Sequence, residues 1–135
     1  MKGEEAVMGF FANLISRLNG SAELKKAQEK YLRNTKKYLG EVSANAEAMA
    51  AMAGRKQREL VECTNELEKL QRYAEKAVLA EADDDAREYL AKKFALEEKQ
   101  KVLQQEYEQA ALKVESLNKE KEELLKELQE LEAQI

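Results

Sequence analysis

The chain has 135 residues, with no proline, no tryptophan, 6% aromatic residues and 37% charged ones. That leaves too few bulky side chains for a compact globular core, and enough charge to solvate long helices. The net charge of −4 is uneven: residues 21–60 carry nine Lys and Arg against five Glu, whereas residues 61–135 carry twelve against twenty Asp and Glu, so the early part is suited to something anionic, including the acidic arm of a neighbour.

Residues 1–7 show no pattern and read as a disordered extension, with Met8 a second candidate start. Residues 8–20 form a short amphipathic helix: Phe10, Phe11, Leu14, Ile15 and Leu18 fall on one face, with Asn13, Ser16 and Arg17 on the other. Asn19-Gly20 ends it, and Ser21 is placed to cap the next helix. Two readings of this helix stand. Its apolar face docks on protein, or it lies in a membrane interface among acyl chains. The second is favoured by the basic residues that follow, with Lys25 and Lys26 joining Arg17 at an anionic lipid surface.

Residues 21–79 read as the first long arm of an antiparallel coiled-coil hairpin that extends to residue 135. Alternate steps of three and four give a seam of Leu32, Thr35, Leu39, Val42, Ala46, Met49, Ala53, Lys56, Leu60, Cys63, Leu67, Leu70, Ala74 and Ala77, with only Thr35 and Lys56 not apolar. Leu24, Tyr31 and Tyr38 add a second stripe that one partner arm cannot cover. Ser43 to Gly54 is nearly all small residues and methionine, which suits close helix approach to an imperfect surface. Tyr31, Tyr38, Met49 and Met52 are therefore the candidate contacts between subunits of a homo-oligomer. Gly40 and Gly54 are bending points, sites of close backbone contact or tolerated surface glycines. The cluster Arg55-Lys56-Gln57-Arg58 is too small for a nucleic-acid patch and reads as a solvated face. Cys63 lies in the seam as a small buried hydrophobe, and a lone cysteine can form no disulfide within the chain, which fits a reducing compartment.

The turn is expected near residues 80–85, where Asp83, Asp84 and Asp85 suit an N-cap and the positive end of the next helix dipole. They lack the spacing of a calcium loop, and no metal site is expected. The second arm repeats by sevens through Tyr89, Leu96, Leu103, Ala110, Leu117, Leu124 and Leu131, with companions Ala86, Lys93, Gln100, Tyr107, Val114, Lys121, Leu128 and Ile135. Folding at the turn pairs residues whose numbers sum to about 165, which brings Ile135 near Tyr31. The repeat is still running at Ile135, so the natural protein or its relatives are expected to continue.

There is no histidine, no nucleophile beside a base, no glycine-rich phosphate loop and no cysteine cluster. Two long arms also offer no cleft in which to tune a pair of carboxylates. No enzymatic role and no cofactor are expected, and no apolar run approaches the length of a spanning helix.

Three stretches resemble the phage shock protein A family, which includes the vesicle-inducing protein of plastids and is related to the ESCRT-III membrane-remodelling proteins. The opening Met8-Gly9-Phe10-Phe11-Ala12-Asn13-Leu14-Ile15-Ser16-Arg17 is similar to the family's amphipathic helix. Ala44 to Ala53 followed by Arg55-Lys56 is similar to its Ala-rich first arm, and Ala74 to Ala80 with Asp84-Asp85-Ala86-Arg87 and Leu90-Ala91 to its hairpin tip. The resemblance implies a cytoplasmic, peripheral protein on the inner face of the cell membrane. It would act in envelope stress by binding anionic lipids and self-assembling, with membrane maintenance or remodelling as the outcome. In founding members the resemblance also implies restraint of a transcriptional activator. Two departures stand out: Asn19-Gly20-Ser21-Ala22 replaces a proline-containing acidic linker, and the helices that follow the hairpin in relatives are not in this sequence. The alternative from another class is a cytosolic coiled-coil adaptor whose N-terminal helix docks on a protein.

Overall fold

The computed structural model describes residues 22–134. It is all-α: α1 spans Ala22–Leu79 and α2 spans Asp83–Gln134, and the two pack together as an antiparallel hairpin. The amphipathic-helix residues Phe10, Phe11, Leu14, Ile15, Arg17 and Leu18, the proposed cap Ser21 and the seam residue Ile135 lie outside the described residues.

The heptad pattern is what buries the helices. Every described position of both predicted stripes, Lys56, Lys93, Gln100 and Lys121 included, is buried or half-buried. A period of seven keeps these side chains in line along each helix, so each turn adds contact with the same partner.

The chain divides into two compact units. One holds the residues through Ala46 together with Ser116 onward. There, Leu24, Val42, Ala46, Leu124 and Leu131 are buried, and Leu131 is fully so. Two buried polar residues accompany them, Thr35 and Glu127. The Tyr31 hydroxyl donates to Glu127 Oε1 at 2.5 Å and the Tyr38 hydroxyl to Glu120, so the same cross-helix pair recurs one heptad apart. Lys36 Nζ lies 3.7 Å from Glu132 on the exposed side.

The second unit is Glu47–Glu115. Its buried residues are mostly small: Cys63, Ala74, Ala77, Ala86 and Ala110, with Leu70 and Leu103. Polar seam residues find partners across the helices. Lys56 Nζ meets Glu106 Oε2 at 2.5 Å, Lys93 Nζ donates to Gln71 Oε1 at 2.6 Å, and Gln100 Nε2 donates to Thr64 Oγ1 at 3.2 Å. The Tyr73 and Tyr89 rings sit 5.6 Å apart. The Cys63 thiol donates weakly to the Leu96 carbonyl at 3.6 Å, which fits the buried-hydrophobe reading.

The cross-helix pairs keep about the expected register: Thr64 meets Gln100 and Gln71 meets Lys93 close to it, with Tyr31–Glu127 and Lys36–Glu132 falling to either side. The connection itself is three residues, 80–82, and α2 begins at Asp83. Glu81 adopts a left-handed φ of 57°. Its N–H donates to the Val78 carbonyl at 3.1 Å, and the Ala82 N–H donates to the Ala77 carbonyl at 2.8 Å. These two reverse bonds satisfy the last carbonyls of α1, a cap in which glycine is the usual left-handed residue. Ala82 then accepts from the Ala86 N–H at 3.0 Å, which makes Ala82, not Asp83, the N-cap of α2. Asp83, Asp84 and Asp85 occupy the first turn, where the helix dipole favours negative charge.

Neither interior glycine marks a close approach. A side chain added at Gly40 would meet nothing within 4 Å, and one at Gly54 would touch only the Arg58 guanidinium at 3.7 Å. Both belong to uninterrupted helix.

Candidate functional surfaces

Three surfaces hold the candidate side chains, and each follows from which helical face the seam leaves free. The first is the start of α1. Lys25, Lys26, Lys30, Arg33, Lys36 and Lys37 are all exposed. Apart from Lys36, none of them is ion-paired among the described residues. The seam takes Thr35, Leu39 and Val42 inward, so these cations project outward by default.

The second surface comprises the four residues expected at a subunit interface. The structure does not treat them alike. Tyr38 is 47% exposed and Met52 37%, whereas Tyr31 and Met49 are half-buried. Burial, followed by the bond to Glu127, pushes the Tyr31 hydroxyl well above its ordinary value. Glu123, one turn before Glu127, has one carboxylate oxygen buried with no hydrogen-bond partner.

The third surface was not read from the sequence as a site. Near the turn, Ala74, Glu75, Val78, Leu79 and Leu90 line a groove whose floor is almost wholly apolar. Leu79 is 85% exposed, Val78 57% and Leu90 46%; Phe94, one turn beyond Leu90, is 67% exposed. The signal was present in the phase. Val78 and Leu79 follow the seam residue Ala77, and Phe94 follows the seam residue Lys93, so all three fall out of step with the heptad and must face outward. Of the acidic groups near the turn, Glu75 lines this groove, whereas Glu81, Asp83, Asp84 and Asp85 line a separate hollow together with Arg87. Asp84 pairs with Arg87 at 2.9 Å, and Glu81, Asp83 and Asp85 hold no ion pair among the described residues.

Other chemistry gains no support from the geometry. Among the described residues no three His, Cys, Asp or Glu gather as metal ligands, and no helix is long and apolar enough to cross a membrane. Arg55 and Arg58 are exposed as a solvated face would have them. Lys56, by contrast, is drawn into the seam, where the bond it donates to Glu106 holds its ammonium above the usual lysine value.

No family model matches the chain, and no solved structure matches it. A phage shock protein A homolog of Bacillus subtilis (strain 168) is 35% identical over 122 residues, which is 90% of this chain and 54% of the relative. The chain thus spans about half the length of the curated relative it matches. Over the helical region that it spans, the chain belongs to the phage shock protein A family.

Proposed function

We propose that the chain is a non-enzymatic, peripheral membrane protein of the stress-response type, which binds anionic lipid surfaces and self-assembles there to maintain or remodel them. The observation that carries this reading is the uncompensated basic start of α1. Lys25, Lys26, Lys30, Arg33 and Lys37 stand exposed without a carboxylate partner among the described residues. Each such cation gains about 1 kcal/mol near an anionic membrane, an attraction that decays within a Debye length. Directly before them in the chain, Phe10, Phe11, Leu14, Ile15 and Leu18 supply the apolar insertion that basic charge alone does not. In this reading the protein acts on the inner face of the cell membrane from the cytoplasm, with no cofactor, no metal and no nucleic acid. Its family membership supports the same class of activity.

Co-sedimentation with anionic vesicles tests the reading, with the chain compared to a Phe10→Glu/Phe11→Glu variant of unchanged helix content. The chain is expected to pellet and the variant to stay in solution, with pelleting weakened but not abolished by salt. If both stay in solution across lipid compositions, the amphipathic segment is a protein-docking element and the cytosolic adaptor reading replaces this one.

A further inference from the structure

We propose that residues 8–18 fold back along the start of α1 and dock on the stripe of Leu24, Ala27 and Tyr31, so that the apolar face suited to a bilayer is covered by the chain itself until lipid displaces it. The observation behind this is burial at the open end of the hairpin. Two paired helices leave the edges of their seam open, and exposure should rise where one of them stops. Here it falls. Leu131, in the last turn of α2, is 0% exposed and Leu24 is 7% exposed, whereas Leu117 and Leu128 of the same α2 seam are only half-buried. On the pairings of Tyr31 with Glu127 and Lys36 with Glu132, Gln134 falls level with a residue between 24 and 34, so Leu24 stands at or past the end of α2. Leu24, Ala27, Gln28, Tyr31 and Leu32 are nevertheless all buried or half-buried, a face wider than one partner helix covers.

The choice of occupant comes from reach, spacing and charge. Leu18 lies six residues before Leu24, and Asn19-Gly20-Ser21 between them are residues that favour a reversal. A helix over residues 8–18 is about 16 Å long, enough to run from the level of Leu24 past Tyr31. The apolar steps match. Leu18, Leu14 and Phe11 run back at four and three, as Leu24, Gln28 and Tyr31 run forward at four and three. Charge agrees as well. Glu120, Glu123 and Glu127 of α2 flank the tyrosines, and the one charged residue among residues 8–20 is the cation Arg17. Five large apolar side chains left in water are unfavourable, so without lipid the docked form is preferred. One face cannot lie against α1 and among acyl chains at once, so docking lowers the apparent lipid affinity in proportion to the open fraction. Lys25, Lys26 and Lys30 stay exposed, so an anionic surface meets the cations before the apolar face is released. The proposal adds a regulation to the membrane reading given above, and its lipid-free test stands apart from that reading.

The first test uses no lipid. A photo-crosslinker at position 11 of the full chain, in a dilute mixture of heavy-isotope and unlabelled chains, should link to peptides spanning residues 27–35 of the same chain. Links to another copy, links to other regions or no link at all would each overturn the proposal. The second test locks the contact. Leu14→Cys/Gln28→Cys in a Cys63→Ala background should close a disulfide with oxidised glutathione. The locked chain should pellet with anionic phospholipid vesicles about tenfold less well than the same chain reduced by dithiothreitol. A pair that does not close, or a locked chain that pellets as well as a pelleting reduced form, overturns the proposal. Leu24→Ser acts in the opposite sense. At unchanged helix content it should pellet at about tenfold lower lipid concentration than the wild type, because the open form becomes more populated. If no chain pellets but the links from position 11 stay within one chain, the membrane function fails and the docked segment stands.

Discussion

In the unit that joins residues 22–46 to 116–134, the buried seam includes Leu24, Val42, Leu124 and Leu131; in Glu47–Glu115 it is mainly Cys63 and four alanines beside Leu70 and Leu103. The first unit fills the space between its helices with side-chain volume and ties them with tyrosine-to-glutamate bonds. The second buries mainly small residues fully and settles the polar positions with Lys56–Glu106, Lys93–Gln71 and Gln100–Thr64. A heptad pattern therefore states which positions face inward, while the size of the residues there decides how the contact is made.

Opposite substitutions should break this contrast. Leu124→Ala removes volume where volume is the device and should lower stability by about 3 kcal/mol, read from urea unfolding at fixed protein concentration. A loss as small as that of a surface substitution would show that Leu124 is not core. Ala74→Leu adds volume where closeness is the device and should cost about 2 kcal/mol by forcing the helices apart. A stabilising Ala74→Leu would mean that the second unit has room to spare.

The turn sharpens the comparison in the other direction, because it closes the second unit with a residue poorly suited to its conformation. Glu81→Gly should raise stability by about 1 kcal/mol, since glycine adopts the left-handed φ without a Cβ clash. The smallest effect is expected from the tyrosine pair. The folded Tyr31 keeps the proton that an unfolded tyrosine releases near pH 10, so its contribution is complete below that value and falls as pH rises past it. Lys56 acts in the same direction, its contribution being lost as pH climbs above the ordinary lysine range. Tyr31→Phe should make the urea midpoint fall less steeply between about pH 10 and pH 12, with the slope due to Lys56 remaining.

Much of the fold was legible because both arms obey one period. Leu32 to Ala77 and Ala86 to Leu128 could be assigned inward by counting, with no need to know the partner's position. Even Lys56 and Lys93, which look wrong by hydropathy, were placed correctly by phase. The details of the turn were not legible. Three consecutive aspartates resemble a cap, but the cap went to Ala82 because the backbone closed one residue earlier through Glu81. That Val78, Leu79 and Phe94 face outward follows from phase, but that Leu90 joins them near the turn is set by how the two helices meet. The basic start of α1 is visible as charge along the sequence, and the structure adds that, among the described residues, Lys36 alone of those six cations has a carboxylate across from it.

Cys63 gives the hairpin a native clock. Cys63 is 5% exposed and its thiol faces the Leu96 carbonyl, so a thiol reagent reaches it when α1 separates from α2 at that level. With no second cysteine in the chain to compete, the labelling rate counts openings of one defined place in the seam. The same chain can then be followed alone, with its own copies or with vesicles, and the pace of its breathing compared without adding a probe.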